Sequence, residues 1–123
     1  YASSFTASLS GQPAEGNLLL LFFSAKQSAP NYTLPSGYTV LAESYPSNAY
    51  ILVAAKIAES SESASTTVTT TSSSGGALMV CEYTSDNGFD IGSMTIASAF
   101  NSSSINTTNH NVGSLSLNDP ADL

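Results

Sequence analysis

Few residues in this chain can do proton, metal or covalent chemistry. There is one histidine, His110, set in Asn109-His110-Asn111 within a polar stretch. A Ser-His-Asp triad would have to use it, and no Gly-x-Ser-x-Gly elbow accompanies it. His110 is therefore read as a loop histidine. Glu82 is the one acid inside an apolar segment, alternating with Val80; it either faces solvent or pairs with a cation such as Lys56, and the pair is the favoured expectation. The other eight acids lie in or near expected turns and strand ends, where solvated carboxylates belong. Asp86-Asn87-Gly88-Phe89-Asp90 offers oxygen ligands around a glycine, but lacks the third acid and the distal glutamate of a calcium loop. It is read as a turn. Cys81 is the single cysteine and follows Met79 and Val80 in an apolar strand, so a buried inert thiol is expected. No catalytic, metal or cofactor residue is assigned, and no cofactor is expected.

Aromatic residues offer the remaining chemistry. Trp is absent, and Tyr32, Tyr38, Tyr45 and Tyr50 cluster in the second quarter of the chain. Tyr38 and Tyr50 are expected to pack in or over the core. Tyr32 and Tyr45 lie near loop ends, and these two are the candidate contacts to a glycan or to another subunit. Three Asn-x-Ser/Thr triplets begin at Asn31, Asn101 and Asn106 and matter only in a glycosylating pathway.

The segments that must position these residues read as strands. Gly, Pro, Ser, Thr and Asn punctuate the chain at the spacing of an all-β fold, and helix signals are nearly absent. Expected strands are Phe5 to Leu9, Leu18 to Ala25, Tyr38 to Tyr45, Ala49 to Ala58, Ser65 to Thr71, Ala77 to Tyr83, Ser93 to Phe100 and Val112 to Leu117. Gln27 to Gly37 and Ser72 to Gly76 are expected loops. Glu59 to Ala64 is either one helical turn or an acidic loop. The Ser65 strand offers one strong core residue, Val68, and so is expected at an edge. The connections are too short for crossover helices, which requires mostly antiparallel pairing. The expected fold is an all-β antiparallel two-sheet sandwich, jelly-roll or immunoglobulin-like, of about eight strands. Leu18 to Ala25, Ala49 to Ala58 and Ala77 to Tyr83 are apolar on both faces. The outer face of their sheet therefore needs a cover, either a loop or a neighbouring subunit.

Composition narrows the partners. With 2 basic and 9 acidic residues among 123, the net charge is −7. Binding to nucleic acid or to anionic lipid needs the opposite sign. No apolar run is long enough to span a bilayer. Polarity comes instead from 24 serines and 12 threonines. One domain over 1–123 is expected. Ser8-Leu9-Ser10 leads through Pro13-Ala14-Glu15 to Leu18, and Ser114-Leu115-Ser116 leads through Pro120-Ala121-Asp122 to Leu123. That echo suggests a piece of a longer polypeptide, cut at both ends.

Residues 8 to 85 resemble a β-sandwich module that recurs in bacterial surface proteins and in phage tail, fibre and capsid-decoration proteins. The resemblance rests on Pro13-Ala14-Glu15-Gly16-Asn17 entering Leu18 to Leu21, and on Pro35-Ser36-Gly37-Tyr38-Thr39. Tyr50 through Lys56, the acidic patch Glu59 to Glu62, the Thr-rich Ser65 to Thr71 and the Gly76 to Tyr83 strand complete it. Asn17 stands where those modules carry Asp, Tyr38 where they carry Trp, and Thr84-Ser85 where Arg-Gly often follows. The resemblance implies a non-enzymatic structural or attachment module of a virion. The alternative is a secreted or cell-surface adhesion or carbohydrate-binding module. Either would lie in a virion, outside the cell or at its surface. The partners would be copies of the chain, other virion or surface proteins, or host glycans.

Overall fold

The computed structural model describes residues 1–26, 32–45 and 49–94. The strands are β1 (Ala2–Ser8), β2 (Leu18–Ala25), β3 (Tyr32–Thr33), β4 (Thr39–Ser44), β5 (Tyr50–Ile57), β6 (Ser65–Ser74) and β7 (Gly76–Tyr83). They form a three-stranded sheet, β1-β6-β3, and a four-stranded sheet, β4-β5-β2-β7. Every pairing is antiparallel. The chain is a two-sheet antiparallel β-sandwich. A short 3-10 turn, Ile91–Ser93, follows β7 and lies against β5.

Period-two alternation divides the four-stranded sheet into two faces. Leu19, Leu21, Phe23 and Ala25 of β2 point inward, beside Lys56, Ala54, Leu52 and Tyr50 of β5. Leu21, Phe23, Tyr50, Leu52 and Ala54 form the core with Val68 of β6. Phe5 of β1 meets Phe23 edge-on at 5.4 Å between ring centroids, which ties the two sheets together. The opposite face carries Leu18, Leu20 and Phe22 beside Ile57, Ala55 and Val53.

Four expectations need correction. The Ser65 strand sits in the middle of its sheet, between β1 and β3, and runs on to Ser74. Three alternate residues, Thr66, Val68 and Thr70, are buried, because threonine methyls pack inward on a strand as valine does. The expected loop 72–76 is two strands meeting at Gly75. There Lys26 N donates to Gly75 O at 2.7 Å, and Ser74 Oγ donates to Lys26 O at 2.9 Å. The expected loop 27–37 contains the two-residue strand β3, paired with Thr69 and Thr70. Ser93 ends a 3-10 turn rather than opening a strand. The Asp90 carboxylate accepts from Gly92 N at 3.0 Å and caps that turn. The remainder of the expected strand, 95–100, lies outside the described residues, as do 112–117 and the echo at 114–123.

The β5–β6 connection is a turn, with Glu62 N donating to Glu59 O at 3.0 Å. It serves Lys56, whose stem is buried on the inner face and whose Nζ lies 2.7 Å from Glu62 and 3.8 Å from Glu59. Gly37 holds φ +85° against that stem, and a Cβ there would meet Lys56 Cε at 2.9 Å. The positive φ favours glycine, and a larger residue would also displace the Lys56 stem.

Candidate functional site

The tyrosines that cluster in sequence converge at one end of the sandwich. Tyr32 comes from β3 in the three-stranded sheet. Glu43 comes from β4, Tyr45 from just beyond it, and Tyr50 from the start of β5. Tyr50 lies at the centre, stacked on Tyr32 at 4.8 Å and tilted 34° against Tyr45 at 4.9 Å. Phe23 closes the cluster from the core side, 6.3 Å from Tyr50. The Glu43 carboxylate gathers the hydroxyls. Its Oε2 accepts from Tyr50 at 2.9 Å and from Tyr32 at 3.3 Å.

Burial grades the three rings. Tyr50 is 2% exposed and Tyr45 is 45% exposed, with Tyr32 between. Burial, followed by its hydroxyl neighbours Tyr32 and Glu43, pushes the Tyr50 pKa well above the ordinary phenol value of 10.0. Tyr50 therefore stays neutral and donates. A nucleophilic or proton-abstracting tyrosine needs the reverse shift. The rings also stack too closely to admit a cation between them, unlike an aromatic cage. What remains is a supported platform. The Tyr45 ring is exposed above a buried ring, next to a carboxylate able to accept hydrogen bonds from neutral hydroxyls.

The structure thus brings Tyr32 and Tyr45 together, but through a third ring rather than side by side. Tyr50 was expected in the core and is there, yet it is also the joint of the cluster. Glu43 is exposed near the end of β4, as expected of a strand-end acid, and is also the hydrogen-bond centre of the cluster. The i, i+2 spacing of Glu43 and Tyr45 places them on one side of the chain. Meeting Tyr50 and Tyr32 depends on the pairing of β4 with β5 and on the packing of the two sheets.

The expected Glu82–Lys56 pair does not form. Both flank Leu19, on opposite sides of β2, so two strand spacings separate them. Glu82 Oε1 instead accepts from Ala14 N at 3.0 Å and from Asn17 Nδ2 at 2.5 Å. It holds the turn that enters β2, where Gly16 has φ +87° and Asn17 N donates to Ala14 O at 3.1 Å. Asp86 to Asp90 is a turn around Gly88, φ +75°. Among the described residues, no group of three or more His, Cys, Asp or Glu is placed to hold a metal ion. His110 and the Asn31, Asn101 and Asn106 triplets lie outside the described residues.

A second surface stands out on the four-stranded sheet. β7 is less enclosed than its sequence suggests, because it is an edge strand among the described residues. Met79 and Tyr83 are 53% and 45% exposed on its outer face, and Cys81 between them is half-buried. No helix among the described residues is long and apolar enough to cross a membrane. Comparison of the chain with protein-family models, curated proteins and solved structures gives no match.

Proposed function

We propose that this chain is a non-enzymatic structural or attachment module of an assembly outside the cytoplasm, in the first instance a virion protein of the capsid-decoration, tail or fibre kind. The observation that carries this reading is the four-stranded sheet, apolar on both faces. Its inner face makes the sandwich core. Its outer face is already covered at Leu18, Val53 and Ala55, and leaves Met79 and Tyr83 exposed beside half-buried Leu20, Phe22 and Cys81; exposed apolar residues grouped in this way mark an interaction site. The other sheet supports the same reading from the opposite side. Its outer face is a hydroxyl ladder, with Thr6 Oγ1 2.8 Å from Thr67 Oγ1 and Ser8 Oγ 2.8 Å from Ser65 Oγ. Such a face stays wet without depending on salt. A module with one apolar and one hydroxyl face suits repeated packing in one direction and exposure in the other.

Imaging of the native particle tests the reading. The expected result is the chain at many symmetric positions, with the outer face of the four-stranded sheet at a contact. A chain found only as a free monomer overturns it.

The Tyr45 platform favours a second reading, attachment through a carbohydrate. The ring supplies a stacking face and Glu43 an acceptor for sugar hydroxyls. Glycan-array binding that Tyr45→Ala abolishes, with the unfolding midpoint unchanged, supports this role. An array with no binder removes it.

A further inference from the structure

Asparagine followed by glycine is a reactive pair, because glycine has no Cβ to keep its main-chain nitrogen away from the preceding side-chain amide. Of the nine asparagines in the chain, only Asn87 precedes glycine. Two asparagines, Asn17 and Asn87, lie among the described residues, and the fold treats them in opposite ways.

Asn17 is clamped. Its Nδ2 donates to Glu82 Oε1, its main-chain nitrogen donates to Ala14 O at 3.1 Å, and its carbonyl accepts from Ala58 N at 2.8 Å. The next residue, Leu18, is 4% exposed and paired in β2 with both Ile57 and Tyr83. Leu18 N therefore has no route to the Asn17 side chain. Asn87 is open. It lies in the exposed run from Tyr83 to Gly88, between β7 and the 3-10 turn. Among the described residues its side-chain amide has no hydrogen-bond partner. Two bonds hold the turn, Gly88 N to Ser85 O at 3.4 Å and Asn87 N to Ser85 Oγ at 3.3 Å. Both exceed the usual N–H···O length of about 2.9–3.0 Å. A Cβ placed on Gly88 would meet nothing within 4 Å. Local opening of such an exposed turn costs little, and the space that ring closure needs is empty.

We infer that Asn87 is a self-modifying site, which converts through a succinimide to isoaspartate and aspartate. Gly88 N gives its proton to hydroxide and attacks Asn87 Cγ. The Cγ–Nδ2 bond breaks, and Nδ2 takes a proton from water and leaves as ammonia, which restores the hydroxide. The ring now joins Cγ to Gly88 N. Water then adds to one of the two ring carbonyls. Opening at the main-chain carbonyl of residue 87 leaves isoaspartate, and opening at Cγ leaves aspartate. Nothing is oxidised or reduced, and water is the only co-reactant. Either product adds one negative charge to the −7 of the chain. Isoaspartate also routes the main chain through the side chain and lengthens it by a methylene. That changes the turn leading from β7 to Ile91–Ser93, where the chain packs against β5. The inference goes beyond the structural reading above, since it defines an aged form of the protein whatever assembly the chain joins.

Peptide mapping by mass spectrometry tests this, on the full chain aged in the folded state in mildly alkaline buffer, with isoaspartyl methyltransferase to mark isoaspartate. Asn87 is expected to lose its amide at least about tenfold faster than Asn17, a barrier difference of about 1.4 kcal/mol. The rate should rise in proportion to hydroxide. Asn87→Gln, whose longer side chain closes a larger ring, should abolish conversion at this position and leave the unfolding midpoint unchanged. A smaller ratio between the two asparagines overturns the inference, as does an Asn87 that reacts only once denaturant unfolds the chain. Isoaspartate labelling as strong in Asn87→Gln as in the parent chain overturns it too.

Discussion

The two sheets of this sandwich solve the same burial problem with different residues. The four-stranded sheet fills the core with Leu21, Phe23, Tyr50 and Leu52 and stays apolar on its outer face. The three-stranded sheet contributes Val68 and Phe5 inward and shows serine and threonine outward. Inward, both faces obey the same rule, since apolar area leaving water is what holds the layers together. Outward they diverge. A hydroxyl face is finished once water wets it, whereas an apolar face leaves a surface that gains by being covered. Assembly is therefore expected on one side of the molecule.

Mutations can break or sharpen this contrast. The largest expected effect is Leu21→Ala, which opens a cavity at a fully buried site in the heavier sheet. It should cost about 2–5 kcal/mol in denaturant unfolding. Val68→Ala, the matching change in the lighter sheet, removes two methylene equivalents and should cost about 1.5–2 kcal/mol. Equal losses would mean that the two sheets share the core evenly.

Alkaline pH is expected to act chiefly through the four-stranded sheet. Hydrogen bonding to Glu62 raises the Lys56 pKa above its ordinary 10.5, and burial raises that of Tyr50 above 10.0. Above pH 10 the unfolded chain releases these protons while the folded chain keeps them. Their contribution is therefore complete below about pH 10 and declines as pH rises further. Unfolding midpoints measured from pH 8 upward should fall beyond about pH 10, and less steeply in Tyr50→Phe.

The smallest effect belongs to the hydroxyl ladder. Thr67→Ala removes one cross-strand hydroxyl pair and should cost about 0.2–1 kcal/mol. A loss as large as that of Leu21→Ala would show that the ladder is structural rather than a wetted surface.

Legibility varied with the range of the interaction that decides each feature. The 18–25 strand and the turn at Gly88 depend on neighbours a few residues away and lie where the sequence places them. The central place of β6 is hidden in the sequence because threonine counts as polar in a pattern, yet Thr66 and Thr70 are buried on the same face as Val68, with Thr66 Oγ1 3.4 Å from the Tyr38 hydroxyl. β7 was read as enclosed because its apolar run is indistinguishable from that of a central strand. Only its place in the sheet order separates the two. Glu82 and Lys56 were paired on charge alone, while the folded chain supplied each with a nearer partner. At the candidate site Tyr32 and Tyr45 were legible from their loop-end positions. Glu43 and Tyr50 were not, because their roles come from strand register and from the packing of one sheet on the other.

The sequence by itself determined that this chain is β-structured and antiparallel. It also determined which segments carry the core and that the surface is polar through hydroxyls, since alternation, turn chemistry and composition are local or additive properties. Among the described residues, tertiary structure decided which strands are edges. It also decided that Tyr32 and Tyr50 share the Glu43 carboxylate and that Lys56 belongs to Glu62. Each of these depends on residues far apart in the chain meeting across a sheet or between sheets, and such meetings are fixed by register and packing.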